Sequence, residues 1–418
     1  MIYLLSLIGL IGGLILGHMF GYLRVALIVL HLSIVGSLAT KFPFIFEAKN
    51  LRVVLTVLVF LMSVYLVHRN RPSLNPLILC IWAFLIFFLL SSGWSETPLT
   101  ALLYKGLFVA MAGAGVLWGW SQREGSDVTT NIRTLFLAHL IIVCAMWIAV
   151  VIDGGLVRIV SRMDPMGLNP IGVGEWGSLL AVFGVAMLLY EKKAWLLLAQ
   201  VGVFLGCLTM LLSGSRGAVI SAGLMVLITL GYRAKDFIVP ILALIIPMLL
   251  LFYYLPELAE KDAIQRLGEA DLSGRTAIWA RGLEPFFESP LFGIGWLATI
   301  VNGRLSSENV HSIYITTLSE TGLVGGILLL LMFLMVVYFS LMGYLGRQRN
   351  PTLRDVAYRI MAALAAFYFA KGIVESGPLY GTTTLPLIGF FAFASFASPA
   401  FTGRGTQSTV PATDPANR

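Results

Sequence analysis

Apolar runs close to twenty residues long recur from one end of the chain to the other, separated by short stretches where charge, glycine and proline collect. The runs fall at about 1–20, 22–40, 50–67, 75–92, 100–120, 134–152, 173–190, 194–212, 216–232, 237–253, 320–345, 355–374 and 383–398. A helix needs ~20 apolar residues to cross a ~30 Å hydrocarbon core, and these runs meet that length without the alternation of barrel strands. The pattern predicts an all-α polytopic membrane protein of about 12 transmembrane helices, or 13 if both 1–40 and 383–398 span fully. The first run, "MIYLLSLIGLIGGLILGHMF", has no basic leading segment or small-residue cleavage site and reads as a retained helix.

Connections between bundle helices are usually two to eight residues, so the interval 254–319 stands out. The chain accordingly divides into N-terminal transmembrane helices (1–253), one large extracytoplasmic loop (254–319), C-terminal transmembrane helices (320–398) and a Thr-, Pro-, Ser- and Gly-rich disordered tail (399–418). The loop has helical patterns of its own, a charged one at about 256–268 and a second starting near Ser273. The second gathers Ile278, Trp279, Gly282, Leu283 and Phe286 on one face, flanked by Arg275 and Arg281, and would lie along a membrane surface. "ESPLFGIGW" (288–296) then breaks regular structure with Pro290, Gly293 and Gly295.

Composition agrees with this class, since 58% hydrophobic residues, 12% charged residues and a mean hydropathy of +0.89 exclude an ordinary soluble domain. A net charge of +7 could signal nucleic acid, yet the basic residues sit in short loops. "HRNR" (68–71), "EKK" (191–193), "YRAK" (232–235) and "GRQRNPTLR" (346–354) fall at alternate turns, which assigns them to the cytoplasmic side and leaves no nucleic-acid partner to expect. Cys80, Cys144 and Cys207 stand singly in apolar runs and read as inert buried thiols.

That orientation leaves arginines where positive charge should be scarce, among them Arg158, Arg162, Arg216 and Arg275. Arg216 opens an apolar run at a depth where an arginine can cost ~2.5 kcal/mol, and Ser213, Gly214, Ser215 and Gly217 around it allow close approach of a ligand. Its guanidinium could offer a bidentate fork to a phosphate oxygen, or could simply snorkel to the surface. Taken singly, Arg275 also reads as a lipid-headgroup contact, His311 as a structural histidine, and Glu320 as a carboxylate favoured by a nearby helix N-terminus. Together they make a set of two arginines, a histidine and a carboxylate on one face of the membrane. The acidic pairs in "EKD" (260–262) and "EAD" (269–271) resemble Mg²⁺ or Mn²⁺ ligands, but a solvated helix face accounts for them and no metal is expected. Neither a Walker A sequence nor a dinucleotide fingerprint is present.

Three stretches carry a family resemblance: "LLSGSRGAVIS" (211–221), "SGRTAIWARGLEPFFESPLFGIGW" (273–296) and "HSIYITTLSETGLVGGILLLL" (311–331). In order and spacing they resemble the O-antigen ligase and polymerase superfamily. The resemblance implies an inverting, metal-independent glycosyltransferase of the membrane GT-C type in the bacterial inner membrane, with its active site on the periplasmic face and no cofactor. It implies a glycan donor on undecaprenyl diphosphate and, for a ligase, lipid A-core as acceptor. By matched position His311 resembles the essential histidine, and Arg216 and Arg275 the arginines that hold the diphosphate. Ser215, Trp279, Tyr314 and Glu320 are weaker supporting positions. A polymerase would use a second lipid-linked glycan as acceptor, and "DGGLVRIVSRMDPMGLNP" (153–170), with Arg158 and Arg162, is a short candidate for the second Arg-rich loop of such enzymes. A lipid-linked glycan transporter would instead place polar groups near the bilayer midplane.

Overall fold

The computed structural model describes residues 21–38, 49–152, 169–230, 275–301, 304–307, 310–345, 353–375 and 385–402. The helices are α1 (Tyr22–Leu38), α2 (Lys49–Asn70), α3 (Pro76–Leu90), α4 (Pro98–Trp120), α5 (Gly125–Ile152), α6 (Pro170–Leu188), α7 (Ala194–Leu212), α8 (Arg216–Leu230), α9 (Arg275–Glu288), α10 (Ile313–Leu345), α11 (Leu353–Val374), α12 (Leu385–Ser395) and the short α13 (Pro399–Thr402). Among the described residues eight helices are long and apolar enough to cross a membrane, and Leu23–Ser33, Arg216–Thr229 and Leu385–Ser395 form shorter apolar ones. The chain is an all-α polytopic membrane protein. The expected spans 1–20 and 237–253, the charged helix at 256–268 and the segment bearing Arg158 and Arg162 lie outside the described residues.

α6 and α11 are buried around most of their circumference and form the centre of the bundle, α6 packed on α7 and α8, and α11 on α8 and α12. By contrast, α2 turns Leu51, Val54, Leu61 and Tyr65 outward, where a lipid-facing helix has no reason to hide them. The polar contacts sort into two ends. At one, Asn70 Nδ2 donates to Ser121 O (2.8 Å), Arg133 pairs with Glu191, and the Ala400 amide reaches Gln122 O (3.3 Å). At the other stand the loops after α3 and α9 and the start of α10, where Trp94 Nε1 donates to Phe292 O (3.0 Å).

Four departures from the sequence reading have physical causes. α5 starts at Gly125 and not near 134, because Asp127 caps its first turn by accepting from the Arg123 and Glu124 amides (3.0 and 3.3 Å), which hydropathy does not see. α10 starts at Ile313 and not at 320. The polar residues that looked like loop turn their hydroxyls back on the helix: Thr316 to Ser312 O (2.8 Å), Thr317 to Ile313 O (2.7 Å) and Thr321 to Thr317 O (2.6 Å). Residues 298–307 contain a small antiparallel hairpin, β1 (Ala298–Val301) with β2 (Arg304–Ser307), where Ala298 faces Ser307. The intervening Asn302-Gly303 is the strongest short hairpin signal and was available in the sequence. Finally, residues 399–402 are not tail. They form α13, and Phe401 is buried against Tyr358.

α10 is broken at Gly322 (φ 62°, ψ −160°), and the segment after α9 docks into the break. The Leu323 and Val324 amides, which an unbroken helix would aim at the carbonyls of 319 and 320, donate instead to Pro290 O (2.8 Å) and Leu291 O (3.2 Å). The carbonyls so released accept from Ile294 N (2.9 Å, Ser319 O) and Gly295 N (3.0 Å, Glu320 O). No backbone group in this exchange is left unpaired, as an apolar surrounding demands. Gly295 (φ 88°) is required twice over, since a Cβ there would also lie 2.6 Å from Ser95 N. Gly295→Ala should therefore lower the melting temperature of the purified protein more than Gly223→Ala, whose Cβ meets nothing within 4 Å. The expected cost at 295 is ~1–3 kcal/mol or more, and equal melting temperatures for the two variants would contradict this account.

Candidate functional site

At the end of the bundle away from Asn70 and Arg133, residues from two separate elements converge on one carboxylate carried by a third. Arg275 opens the amphipathic helix α9, whose inner face carries Gly282; a Cβ there would lie 2.7 Å from Val310 Cγ1. Ser319 Oγ, from α10, donates to the Gly282 carbonyl, so α9 is held against the start of α10. His311 stands just before α10 with φ +51°, a left-handed conformation uncommon outside glycine that costs of order 1–3 kcal/mol and is found preferentially at functional sites. Glu375 follows the last turn of α11. Its Oε1 accepts from Arg275 Nη2 at 3.1 Å, and its Oε2 lies 3.3 Å from His311 Nδ1.

Glu375 is thus the residue that unites Arg275 and His311. Burial pushes its carboxyl pKa upward, but the His311 hydrogen bond, the Lys371 charge and the Arg275 charge together outweigh this and hold it below the ordinary 4.5. With Glu375 ionised, the tautomer that satisfies it carries the proton on Nδ1 and leaves Nε2 as the basic nitrogen of His311. Two further ionisable groups lie close by. Lys371, one turn earlier on α11, and Glu175, in the first half of α6, are both buried and in electrostatic range of one another and of Glu375.

The other residues singled out from sequence distribute as follows. Arg216 is the half-buried first residue of α8, which packs along α11, the helix that ends at Glu375. Ser215 is buried just before it, and its carbonyl accepts from the Ala218 and Val219 amides (both 3.1 Å). Trp279 is half-buried on α9, and its Nε1 is enclosed without an acceptor. Tyr314 donates to Phe369 O (3.1 Å) and so ties α10 to α11. Glu320 is neither at a helix N-terminus nor at a surface. It is fully buried within α10, where its Oε2 pairs with Lys105 Nζ (3.0 Å) from α4 and its Oε1 accepts the Leu297 amide (3.2 Å). Lys105 Nζ also donates to Ser91 Oγ (2.5 Å) and to Gly295 O, and lies 4.3 Å from the centre of the Phe88 ring. This ion pair fastens the docked segment to α4.

Glu375, Lys371, Glu175 and Lys105 were not among the sequence candidates. Each is an ionisable residue within or at the end of an otherwise apolar run, and that placement was the available signal.

The fold and this convergence of charges at one end define a polytopic membrane protein with a polar, arginine-bearing site. Comparison with known proteins finds likenesses over part of the chain. Residues 201–330 match the family described as O-Antigen ligase. A stretch of 121 residues is 28% identical to the exopolysaccharide production protein ExoQ of Rhizobium meliloti (strain 1021), covering 26% of this chain and 27% of that protein, so the match spans about a quarter of the relative's length. Both are likenesses to the O-antigen ligase/polymerase superfamily.

Two outcomes follow for the charged residues. Breaking the buried pair with Lys105→Met or with Glu320→Leu should each destabilise the protein by ~3–5 kcal/mol, and the Lys105→Met/Glu320→Leu double variant should recover much of the loss. Strictly additive losses in a melting series would refute the coupling. For Glu375, whose folded pKa is depressed, the ionised contacts stabilise above the ordinary carboxylate value of 4.5 and are lost as pH falls through the folded value. The stability gap between wild type and Glu375→Gln should therefore be full at neutral pH and shrink on acidification below 4.5, and a gap independent of pH would contradict the assignment.

Proposed function

We propose that the protein is an O-antigen ligase: an inverting, metal-independent glycosyltransferase that moves a glycan from undecaprenyl diphosphate to the outer core sugar of lipid A-core. The reaction takes place at the periplasmic face of a bacterial inner membrane. The observation that carries this reading is the single carboxylate, Glu375, shared by Arg275 at 3.1 Å and His311 at 3.3 Å. It joins an anion-binding group and a base in one site, as transfer from a lipid diphosphate requires.

The acceptor hydroxyl is a poor nucleophile. Nε2 of His311 takes its proton as the oxygen attacks the anomeric carbon from the face opposite the leaving group, so that configuration inverts. The bond from that carbon to the phosphate oxygen breaks, and the undecaprenyl diphosphate leaves with the electron pair. Glu375, accepting from Nδ1, orients the ring and stabilises the imidazolium that forms. Arg275, together with Arg216 at the start of α8, meets the charge that develops on the diphosphate. The donor is already activated, so no nucleotide or other cofactor enters. Both substrates are lipid-anchored, which accounts for a base beside the end of a membrane helix.

The test is a reconstituted reaction: purified protein with undecaprenyl-diphosphate glycan and lipid A-core in EDTA, read as mass-shifted lipopolysaccharide. Wild type should form product. His311→Ala should lose ~10²–10⁴ in kcat, and Glu375→Gln on the order of 10²-fold or more. A His311→Ala variant that works at the wild-type rate would sink the mechanism. The match to a protein named for exopolysaccharide production favours polymerase as a second reading. Lengthening of the undecaprenyl-linked glycan when only donor is supplied would select it.

A further inference from the structure

The end of the bundle opposite the candidate site holds a cavity of about 740 Å³ between α1, α2, α4 and α5, which the reaction above does not use. That volume is in the range of small-molecule sites and far beyond what a single ion needs. Its wall is graded in polarity. α2 contributes Leu61, Met62, Tyr65, Leu66, Arg69 and Asn70, a spacing that keeps all six on one side of the helix. At ~1.5 Å per residue, that wall passes from hydrocarbon to guanidinium over about 12 Å. Leu61 and Tyr65 are also exposed outward, at 57% and 61%, so the cavity opens toward the side of α2 that faces lipid.

The polar end of the cavity selects the ligand. Its amide side chains are engaged within the wall: Asn131 Nδ2 donates to Gln122 Oε1 (2.6 Å), Gln122 Nε2 to Trp118 O (2.6 Å) and Asn70 Nδ2 to Ser121 O (2.8 Å). The carboxylate in the lining, Asp127, accepts from the Arg123 and Glu124 amides (3.0 and 3.3 Å) and so serves the start of α5. Arg24 of α1 and Arg69 of α2 are the cations. Two guanidinium groups against one carboxylate leave the lining with one positive charge in excess. A single phosphodiester cancels that excess, and its oxygens match the guanidinium fork. A headgroup that also carries an ammonium would restore it.

We propose that this cavity is a binding site for an anionic glycerophospholipid of the adjoining leaflet, with its phosphate on Arg24 and Arg69 and its acyl chains along Leu61, Met62 and Leu66. An apolar wall open to lipid and ending in basic residues at the membrane surface is what such a molecule requires. The bound lipid touches four helices that precede the stretch matched by the family, 201–330, and stabilises their packing by mass action. The inference is independent of the reaction proposed above.

The experiment is native mass spectrometry and thermal unfolding of the full-length protein, stripped of lipid in detergent and titrated with dioleoyl-phosphatidylglycerol, dioleoyl-phosphatidylcholine or inorganic phosphate. Phosphatidylglycerol should be retained by the protein and raise its melting temperature, and neither of the other probes should. Arg24→Gln/Arg69→Gln should weaken its binding by roughly tenfold or more. Arg71, an exposed arginine outside the cavity, is the control, and Arg71→Gln should bind as wild type does. Should the double variant not fold, Met62→Trp decides: filling the apolar wall should expel the lipid with both arginines in place. An equal loss in Arg71→Gln, equal retention of phosphatidylcholine or stabilisation by inorganic phosphate alone overturns the proposal. So does a Met62→Trp protein that keeps the lipid.

Discussion

The exchange of backbone hydrogen bonds between the 290–295 segment and the break in α10 is the constraint on which the rest of this end of the molecule depends. A helix interrupted in an apolar bundle exposes carbonyls and amides that no water can satisfy. Here the missing partners come from a single short stretch, in both directions, so the interruption is closed as completely as the helix would have been. The exchange fixes where the chain re-enters the bundle after α9, and therefore where Arg275 and His311 can stand. The Lys105–Glu320 pair acts on the same element: Lys105 holds the Gly295 carbonyl, Glu320 the Leu297 amide, and each neutralises the other. In this way α4, in the N-terminal half, is bound to the segment that carries the family motifs.

The site follows a different electrostatic logic from that pair. Glu320 and Lys105 are fully enclosed and matched to each other, which suits a permanent joint. Glu375 is shared between Arg275 and His311, both partly exposed at 21% and 26%. A shared carboxylate with partly accessible partners can give one of them up. It can therefore serve an anionic substrate in a way that the enclosed pair cannot. The left-handed backbone at His311 points in the same direction, since strain of this kind persists where surrounding contacts over-determine a side chain's position.

Much of the fold was legible because lipid is a stringent solvent. Runs such as 194–212 and 355–374 could hardly be anything but helices, and α7 and α11 occupy nearly those residues. Hydropathy failed where polar side chains are satisfied within the helix itself. Thr316, Thr317 and Thr321 return their hydroxyls to the preceding turn, so α10 begins seven residues before its apolar part does. Arg275 and His311 could be picked out because they fall in recognisable motifs. Glu375 could not, because no motif surrounds it and its importance lies in a contact across 64 residues of sequence. Glu320 was misplaced for the converse reason: a carboxylate ahead of an apolar run looks like a helix-start residue until Lys105, far back in the chain, is seen to face it.

The central claim is that Arg275, His311 and Glu375 form one site for a lipid-linked diphosphate. The most direct measurement is a cryo-EM structure of the protein in nanodiscs with undecaprenyl diphosphate bound. The account predicts diphosphate density within hydrogen-bond reach of the Arg275 guanidinium, with His311 beside it and still held by Glu375. Diphosphate bound elsewhere on the molecule, with the Arg275–Glu375 pair intact, would contradict it.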